Sequence, residues 1–503
     1  MAMMGRILLL SGFLVLGQAH AATQPQANLH ALNAVPRFAL DGATVAKAVA
    51  TAEQGKSRPL QFAVTMDLPL TLSDGRWETL DADTSSWRLR VGSAGAQSLG
   101  FEFSRFRMPA GGELLIYDAQ GQLIQGPYTT ANQTPEGQLW TAIVPGAEAV
   151  IEARVPTAAR DALQLELARV GHGFRNFSAA ASGVAEPRAI PGGGTAAACE
   201  VNIACPAGND WGNEARAVAT YTVGNQFICT GQLVDDVPGD NTPFFLTANH
   251  CEVGQTLTTP ASSVVVYWNY QASSCSGGDG PINHTQSGAK LVAGDSGADF
   301  TLIQLNQAPN PSYNVWYAGW DVTGTPATSG ADIHQPGGDV KKISLFSRPT
   351  SKVTVQLQDT LRTVQAWDVV WSLGITEDGS SGSGLYNSNH HLIGVLSGGS
   401  SSCANPGGDD VFGRLDVAWT AQALASGQLK AHLDPGNSGA KCVAGRNPGD
   451  SPASTDCSVV GGSAATQGTG GESGGGSGGA WPISLSLLLA PLAALRSRRR
   501  KKA

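Results

Sequence analysis

Charged side chains are scarce in this sequence. They account for 14% of its 503 residues, against about 25% in an average soluble protein. A content this low excludes a highly charged disordered chain and a coiled coil. A hydrophobic content of 42% allows a sizeable core but does not suit a polytopic membrane protein. The net charge of −8 argues against nucleic acid as the main partner.

Cysteine is absent from the first 198 residues, whereas the rest of the chain holds all eight. An even number of cysteines suits four disulfides in an exported protein. So abrupt a change in cysteine use predicts that the two parts of the chain have different fates.

The amino-terminal residues have the pattern of an export signal. Arg6 precedes the apolar run 7–16, and the small residues Ala19 and Ala21 suit cleavage by signal peptidase. The run is too short to span a bilayer comfortably. We therefore expect residues 1–22 to be a signal peptide.

The carboxyl-terminal residues carry a second targeting pattern. A Gly-rich linker, 470–479, precedes the uncharged apolar stretch 480–495 and a basic tail that ends at 503. Because basic flanks stay on the cytoplasmic side, the protein before 480–495 would lie outside the cell, held by a transient or a permanent anchor. Without Arg6 and the six basic residues of this tail, 25 basic residues face 40 acidic ones. That is a net charge of −15, so the body of the protein is acidic.

The cysteine-free part of the chain has the pattern of a β-rich domain. Short alternating strands recur about every 10–15 residues over residues 61–155, which is typical of a β-sandwich. The predicted strands are 62–66, 87–91, 99–106, 114–118, 140–144 and 149–155. Residues 23–60 give few structural signals, and the Ala/Gly/Pro-rich segment 180–198 is interpreted as a linker or processing zone. Residues 23–195 are therefore expected to be a separate amino-terminal region.

Three residues that are distant in the sequence form a candidate catalytic triad. His250 follows the apolar strand 244–248, Asp299 enters another apolar strand, and Ser381 lies in a Gly/Ser-rich segment. A lone aspartate among Phe, Leu and Ile is costly unless its charge has a partner, and a histidine N–H is such a partner. A serine nucleophile needs a base, and a carboxylate fixes the tautomer of that base. The order His250, Asp299, Ser381 is that of chymotrypsin-like proteases.

The glycines around Ser381 favour an oxyanion hole. They allow a turn in which the backbone N–H groups of Gly379 and Ser381 point at a developing oxyanion. A second serine motif, at Ser296, comes too soon after His250 to leave room for a second barrel. We interpret Ser296 as part of a turn.

The remaining histidines do not indicate a metal site. His390 and His391 are adjacent and flanked by polar residues, which favours a surface turn. His284 and His334 have no ligand-like spacing. We expect neither a metal nor a cofactor.

Residues 199–435 resemble the bacterial lysyl endopeptidases, a secreted branch of the chymotrypsin-like serine proteases. The resemblance is carried by 199–206, 227–231, 247–251, 379–384 and 410–414. It implies a mainly β fold with a chymotrypsin-like double six-stranded β-barrel over 196–435. The residues before 190 look like the propeptides of such proteases, so 23–195 would be a propeptide with a β-sandwich-like domain. The segment 470–503 resembles the bacterial GlyGly-CTERM sorting tail, which implies cleavage by a rhomboid-like sorting protease.

The resemblance also implies a disulfide pattern. Eight cysteines allow about 105 pairings, so the sequence alone leaves the connectivity open. The family pattern pairs Cys199 with Cys403, Cys205 with Cys275, and Cys229 with Cys251. Cys442 and Cys457 remain as a fourth pair outside that core, in a disulfide-pinned tail over 436–469.

Substrate preference would follow from the charge of the specificity pocket. The position of the trypsin pocket aspartate is Ile375 here, whereas Asp410 matches the pocket acid of lysyl endopeptidases. A buried carboxylate there would favour a Lys or Arg side chain by charge pairing. The alternatives are its neighbour Asp409 and a solvated Asp-Asp turn. Pairing with the substrate backbone is implied for the strand residues Ser397, Gly398 and Gly399.

Two departures limit what the resemblance implies. Ser380 replaces the acidic residue that binds the new amino terminus in activated trypsins, so activation need not use that ion pair. Ser397 stands where lysyl endopeptidases carry a histidine, which leaves strict Lys preference open. No lysine occurs between Lys56 and Lys290, so a strictly Lys-specific enzyme could not cut its own linker. Arg188 offers a site to an enzyme that accepts arginine.

These features predict an exported bacterial serine endopeptidase, made as a preproprotein, that cuts protein or peptide substrates after basic residues, above all Lys. We expect a monomer, secreted or at the cell surface, that meets signal peptidase and a rhomboid-like sorting protease but no nucleic acid. The propeptide would assist folding, block the site until export, and be removed in or near 175–198. Three alternatives stay open: a trypsin-like protease of different P1 preference, a catalytically inactive surface binding protein on a protease scaffold, and a retained binding module at 61–155.

Overall fold

A computed structural model of the chain describes residues 31–54, 59–175, 196–256, 258–278, 280–357 and 362–459. The predicted signal peptide, most of the predicted processing zone and the predicted sorting tail lie outside these residues. Within the described residues, no helix is both long enough and apolar enough to cross a membrane.

The amino-terminal domain consists mainly of short β-strands. Its helix α1 spans Gly42–Gln54. Its strands are β1 Arg37–Ala39, β2 Leu60–Gln61, β3 Ala63–Thr71, β4 Arg76–Thr79, β5 Thr84–Gly92, β6 Ser98–Arg107, β7 Glu113–Asp118, β8 Ile124–Tyr128, β9 Leu139–Trp140, β10 Val144–Pro145, β11 Glu148–Pro156 and β12 Gln164–Gly173.

These strands form two facing sheets. One sheet has the order β1-β5-β11-β7-β8 with β4 beside β5, and the other has the order β10-β6-β12-β3 with β9 beside β6. Apolar residues of both sheets meet in one core, in which Trp87 and Ile151 of the first sheet and Phe101 and Leu167 of the second are at most 3% exposed. The predicted β-sandwich is therefore confirmed.

The sandwich is longer than the predicted range 61–155. β12 lies beyond that range and pairs with both β6 and β3, so it is central to its sheet. Its alternation was readable in the sequence, because buried Leu165 and Leu167 flank the half-buried Glu166. α1 was less readable, since Val45 is its one buried residue and it presents no apolar stripe.

The first half of the protease domain is one sheet. The helix α2 spans Gly212–Ala217, and the strands are β13 Val218–Val223, β14 Phe227–Val234, β15 Phe244–Ala248, β16 Val265–Tyr267, β17 Thr285–Ser287, β18 Ala289–Asp295 and β19 Phe300–Leu305. Their order is β17-β16-β13-β14-β15-β19-β18, and every pair is antiparallel.

The second half is another sheet with two short helices behind it. Its strands are β20 Trp320–Asp321, β21 Gly330–His334, β22 Lys342–Phe346, β23 Ser351–Gln356, β24 Thr363–Val370, β25 Gly384–Asn387, β26 Leu392–Gly399, β27 Asp409–Arg414 and β28 Cys442–Val443, and its helices are α3 Leu415–Ala418 and α4 Leu429–Leu433. The order is β22-β21-β25-β26-β27-β24-β23, and β20 joins β26 to β28.

The two halves share one apolar core. Leu246 and Phe300 of the first sheet pack in the same cluster as Ile333 and Val395 of the second, and all four are 0% exposed. The predicted mainly β, chymotrypsin-like fold is confirmed. Each main path has seven strands rather than the predicted six, because the edge strands β17 and β23 extend the sheets. Both edge strands consist of exposed and half-buried residues.

The amino-terminal domain packs against the first protease sheet. β2 adds to the edge of β14, with Leu60 opposite Ile228. The Ile143 N–H donates to the Tyr267 hydroxyl at 3.0 Å, and Trp140 joins a cluster that both domains share. The contact is therefore a continuous apolar core rather than a solvated surface.

Four disulfides close the protease domain and its tail. They join Cys199 to Cys403, Cys205 to Cys275, Cys229 to Cys251 and Cys442 to Cys457, the pairing that the resemblance implies. The sequence suggested that the tail lies outside the core, but the structure places part of the tail within it. Cys442 and Val443 are 0% and 1% exposed because β28 pairs with β20.

Candidate active site

His250 is held at the end of a buried strand. β15 is buried along its whole length and pairs with β14 and β19. The 3₁₀ turn Asn249–Cys251 follows it directly. Cys251 is bonded to Cys229 of β14, so covalent and hydrogen bonds both fix the turn that carries His250.

Asp299 faces His250 from the turn between β18 and β19. Its Oδ2 lies 2.9 Å from His250 Nδ1, and its Oδ1 accepts from the His250 backbone N–H at 2.9 Å. The φ of Asp299 is +49°, a conformation that a residue other than glycine rarely adopts without being held. The Asn249 N–H donates to the Asp299 carbonyl at 3.1 Å and helps to hold it. The sequence pattern and the geometry agree on this pair.

The second ring nitrogen of His250 is available for chemistry. Since the carboxylate of Asp299 accepts the Nδ1 proton, Nε2 carries the lone pair of the neutral ring. Nε2 is buried, and no residue in the described parts of the chain hydrogen-bonds to it. The ring is therefore oriented as a base with a free acceptor.

Ser381 lies in the loop between β24 and β25, beside the strands that carry His250. The Thr230 N–H donates to the Ser381 carbonyl at 2.9 Å, and the same carbonyl oxygen is 3.8 Å from Cys251 Sγ. Gly382 has a φ of +83°, and a Cβ there would lie 2.2 Å from Thr247 Oγ1. Only glycine allows the loop to approach β15 this closely.

The loop before Ser381 has the features of an oxyanion hole. Gly379 has a φ of +95°, which glycine adopts without strain. Its carbonyl accepts from the buried Thr230 Oγ1 at 2.9 Å, which fixes the loop against β14. Within the described residues, neither the Gly379 N–H nor the Ser381 N–H donates a hydrogen bond. Two free donors on adjacent turns can receive a developing oxyanion.

A pocket of about 250 Å³ joins Ser381 to Asp410. Asp410 is 1% exposed. Its Oδ2 accepts hydrogen bonds from Trp371 Nε1 at 2.6 Å, Thr376 Oγ1 at 2.8 Å and Ser401 Oγ at 2.6 Å. Burial raises the pKa of Asp410, and these hydrogen bonds oppose that rise. The pocket therefore ends in a carboxyl group held by three side chains, none of which is a cation.

The neighbours of Asp410 separate into two kinds. Asp409 is exposed and accepts from Ser400 Oγ at 2.7 Å, so it does not line the pocket. Gly398 and Gly399 line the pocket, and a Cβ at Gly399 would lie 1.8 Å from Asp410 Oδ1. Ser397 is buried behind them, and its hydroxyl accepts from the Gly413 N–H at 3.2 Å.

The amino-terminal domain leaves this pocket open. Its described residues, 31–54 and 59–175, contribute nothing to the pocket lining. A larger cleft, of about 370 Å³, lies between residues 131–136 and the first protease sheet and contains no triad residue. The sequence led us to expect that the sandwich blocks this pocket, but among the described residues it does not. The segment 176–195 lies outside the described residues.

Sequence reasoning missed several residues of the site. Arg362 Nη1 donates to Asn249 Oδ1 at 2.9 Å and lies 3.8 Å from Asp299 Oδ1. Trp371 and Thr376 hold Asp410, as described above. No local signal marks these residues, because each acts on a partner at least 34 positions away.

The sequence predicts turns at two other motifs, one at Ser296 and one at His390 and His391. Ser296 lies in an exposed turn between β18 and β19, as expected. The prediction of a surface turn at His390 and His391 is wrong for His391, which is 0% exposed. His390 has a φ of +64° and stacks on Trp211 at 4.3 Å between ring centroids. The stacking of His390 on Trp211 holds the turn against the protein, and His391 is buried there.

Comparisons with known proteins agree with this geometry. A family model described as lysyl endopeptidase N-terminal domain matches residues 34–174, and one described as lysyl endopeptidase, C-terminal domain matches residues 193–413. The first range closely follows the observed sandwich, including α1 and β12.

Solved protease structures show weaker likenesses. The active form of the Rv3671c protease from M. tuberculosis is 18% identical, with 49% of this chain and 98% of that chain covered and a TM-score of 0.30. The HtrA-type protease AlgW with a tripeptide is also 18% identical, with 42% of this chain and 62% of that chain covered and a TM-score of 0.29.

A curated relative covers the protease part of the chain. It is a lysyl endopeptidase of Pseudomonas aeruginosa, 31% identical over 234 residues, which are 43% of this chain and 48% of the relative. The chain thus spans about half the length of this relative. The two parts of the chain are thus similar to the amino-terminal and carboxyl-terminal domains of lysyl endopeptidases.

Proposed function

We propose that the protein is an exported serine endopeptidase that hydrolyses peptide bonds after basic residues, with Lys preferred, through His250, Asp299 and Ser381. The observation that carries the proposal is the pairing of His250 Nδ1 with the buried Asp299 at 2.9 Å, which leaves Nε2 without a hydrogen-bond partner among the described residues. The family matches support a serine endopeptidase.

Acylation would proceed as follows. Nε2 of His250 removes the Ser381 hydroxyl proton while Oγ attacks the scissile carbonyl carbon. The oxyanion that forms accepts hydrogen bonds from the N–H groups of Gly379 and Ser381. The C–N bond then breaks, and the imidazolium returns its proton to the leaving amine. Asp299 stabilises the imidazolium and keeps the ring in the required tautomer.

Deacylation would repeat these steps with water. His250 removes a proton from water as the water oxygen attacks the acyl carbon, and it returns the proton to Ser381 Oγ as the ester bond breaks. The free acid leaves and the enzyme is restored. No cofactor takes part in either half of this proposed reaction.

The P1 preference would come from Asp410. Its carboxyl group closes a pocket that opens beside Ser381, and it has no cationic partner among the residues that hold it. A substrate ammonium or guanidinium would supply that partner, which favours basic P1 residues. The hydrogen bonds from Trp371, Thr376 and Ser401 hold the carboxyl group in place.

A fluorophosphonate label and a substrate panel test the proposal. We expect the label to react with Ser381 and the protein to cleave Lys and Arg peptide amides far faster than Glu or Phe amides. Ser381→Ala should abolish labelling and cleavage. Wild-type protein that is properly folded yet unlabelled would instead indicate an inactive binding protein on a protease scaffold. Labelled protein that prefers Phe or Glu would overturn only the Lys assignment.

We also propose that the chain is processed outside the cytoplasm. The four disulfides fit an exported protein. Residues 1–22 would be removed as a signal peptide, the amino-terminal region would be cut in or near 175–198, and a GlyGly-CTERM-like tail would anchor the protein transiently through 480–495. Intact mass and amino-terminal sequencing of the secreted protein test all three steps. A secreted form with residues 31–175 still covalently attached would contradict the second.

A further inference from the structure

A fully buried histidine lies beneath the loop that carries Ser381. His334 is the last residue of β21, and both it and Ser380 are 0% exposed. His334 Nδ1 lies 2.7 Å from Ser380 Oγ, and Nε2 lies 3.2 Å from Ser344 Oγ. Both ring nitrogens are therefore engaged, and one of them contacts the residue directly before the nucleophile.

The proton positions in this group follow from its outer partners. Ser344 Oγ donates to the Ile375 carbonyl at 2.6 Å, so its oxygen is left to accept from Nε2–H of His334. Nδ1 then carries the lone pair and accepts from the Ser380 hydroxyl. Ser380 Oγ accepts in turn from the Glu377 N–H at 3.3 Å. The chain of hydrogen bonds thus begins on the loop at Glu377 and returns to it at Ile375.

The electrostatics of the site agree with that assignment. Burial, followed by the positive charge of Lys342, lowers the pKa of His334 to about 3, so the ring is neutral. Glu200 Oε2 lies 3.6 Å from Nε2, outside hydrogen-bond range. Burial raises the pKa of Glu200, which favours its neutral form. A neutral ring that is protonated at Nε2 satisfies every member of the chain.

The same loop carries both oxyanion donors. Ser380 separates Gly379 from Ser381, and the Ser380 N–H donates to the Glu377 carbonyl at 3.0 Å. The Gly337 N–H, three residues after His334, donates to the Asp378 carbonyl at 2.7 Å. The segment that begins with His334 therefore contacts the loop at several successive positions.

We propose that His334 is the positioning residue of the oxyanion loop, and that it acts through Ser380 to keep the N–H groups of Gly379 and Ser381 aimed at the reacting carbonyl. The proposal rests on the proposed function, since it concerns the same site. The residues of this hydrogen-bonded group belong to β21, β22 and the loop itself.

Two variants of His334 separate the two ring nitrogens. The amide atoms of Asn lie as many bonds from Cβ as Nδ1 does, and those of Gln lie as many bonds from Cβ as Nε2 does. His334→Asn should therefore keep a partner for Ser380, whereas His334→Gln should keep only the partner of Ser344. Ser380→Ala removes the same contact from the other side.

A matched control lies within the protease domain itself. His391, in the turn between β25 and β26, is also 0% exposed and does not line the pocket beside Ser381. His391→Gln thus makes the same substitution at another buried histidine of the measured protein. We expect it to leave kcat and KM unchanged.

The experiment measures kcat and KM of the full secreted protein on a Lys peptide amide, with active sites titrated by a fluorophosphonate. His334→Gln and Ser380→Ala should lower kcat per titrated site at least ~10-fold with little change in KM, since oxyanion donors act in the transition state. His334→Asn should stay within about 3-fold of wild type. If His334→Gln fails to accumulate, Ser380→Ala decides in the same way.

Three results would overturn the proposal: unchanged kcat per titrated site in His334→Gln and Ser380→Ala, equal losses in His334→Asn and His334→Gln, or a loss confined to the number of titratable sites. The first two results would show that Nδ1 of His334 does not position the loop. The third would show that His334 serves only the stability of the fold. Wild-type protein that the fluorophosphonate does not label would overturn the proposed function instead, so the two failures are distinguishable.

Discussion

The Nη1 atom of Arg362 lies 3.8 Å from Oδ1 of Asp299, on the side of the carboxylate away from His250 Nδ1. Arg362 is about one-quarter exposed, and the same nitrogen hydrogen-bonds Asn249. Arg362 therefore links Asp299 to the turn that carries His250.

Replacing Arg362 should slow catalysis. Arg362→Gln removes the cation beside Asp299 and the donor that holds Asn249, so kcat/KM on a Lys amide should fall by up to about 10-fold. Steady-state kinetics on active-site-titrated protein measure this loss. Arg348→Gln, an exposed arginine in the same half of the domain, is the control. Equal kcat/KM values for Arg362→Gln and Arg348→Gln would contradict this role for Arg362.

Local patterns identified the three residues of the candidate triad but not the residues that contact them. His250 and Ser381 were identified from short motifs, and Asp299 was identified because a charge in an apolar strand demands a partner. Arg362 and His334 act on Asp299 and Ser380, which lie 63 and 46 positions away, and no periodicity reports such contacts. For the same reason, the strand pairing of β2 with β14, which joins the two domains, could not be read from either segment alone.

The buried position of Asp410 predicts a pH-dependent preference for basic substrates. Burial raises the pKa of Asp410, so its carboxyl group becomes neutral at a higher pH than an ordinary aspartate as the solution is acidified. Below that pH the pocket loses its negative charge, and KM for a Lys amide should rise while KM for a Phe amide stays constant. Asp410→Asn should abolish this difference, whereas Asp409→Asn, at an exposed position, should retain it. A KM ratio that does not vary with pH would refute the assignment.

A buried hydrogen bond of Gln125 crosses the boundary between the two domains. It is 0% exposed, and its Nε2 donates to Ile143 O at 2.8 Å and, across the domain boundary, to Ile282 O at 3.0 Å. Gln125→Ala leaves two buried carbonyls without this donor, so the uncleaved chain should lose about 1–3 kcal/mol of unfolding free energy. Denaturant titration in a Ser381→Ala background measures the loss without self-digestion.

The control for that measurement is Gln133→Ala. Gln133 Nε2 donates to Met108 O at 3.2 Å within the amino-terminal domain and is only half-buried. Its loss should cost less and should not depend on the protease domain. Equal losses for the two variants would show that the Gln125 contact adds nothing specific to the domain boundary.

Arg446 ties the carboxyl-terminal tail to the protease core. Its Nε lies 2.9 and 3.0 Å from the two carboxylate oxygens of Asp235, and the two side chains are 3% and 1% exposed. Arg446→Met would leave a buried carboxylate without its cation, so we expect a loss of about 3–5 kcal/mol in unfolding free energy. Lys441→Met, an exposed change in the same tail, should cost almost nothing.

The loss in Arg446→Met should also depend on pH. Burial raises the pKa of Asp235 to about 7, so the folded state holds this proton more tightly than the unfolded state does. Removing Arg446 withdraws an opposing charge and strengthens that preference. The variant should therefore recover part of its stability as the pH falls from about 8 to about 5, where the neutral acid needs no counterion. Denaturant titrations of the wild-type protein and of Arg446→Met at the two pH values measure the difference in unfolding free energy. A loss that is the same at both, or larger at the lower pH, would show that the pair contributes through packing rather than through charge.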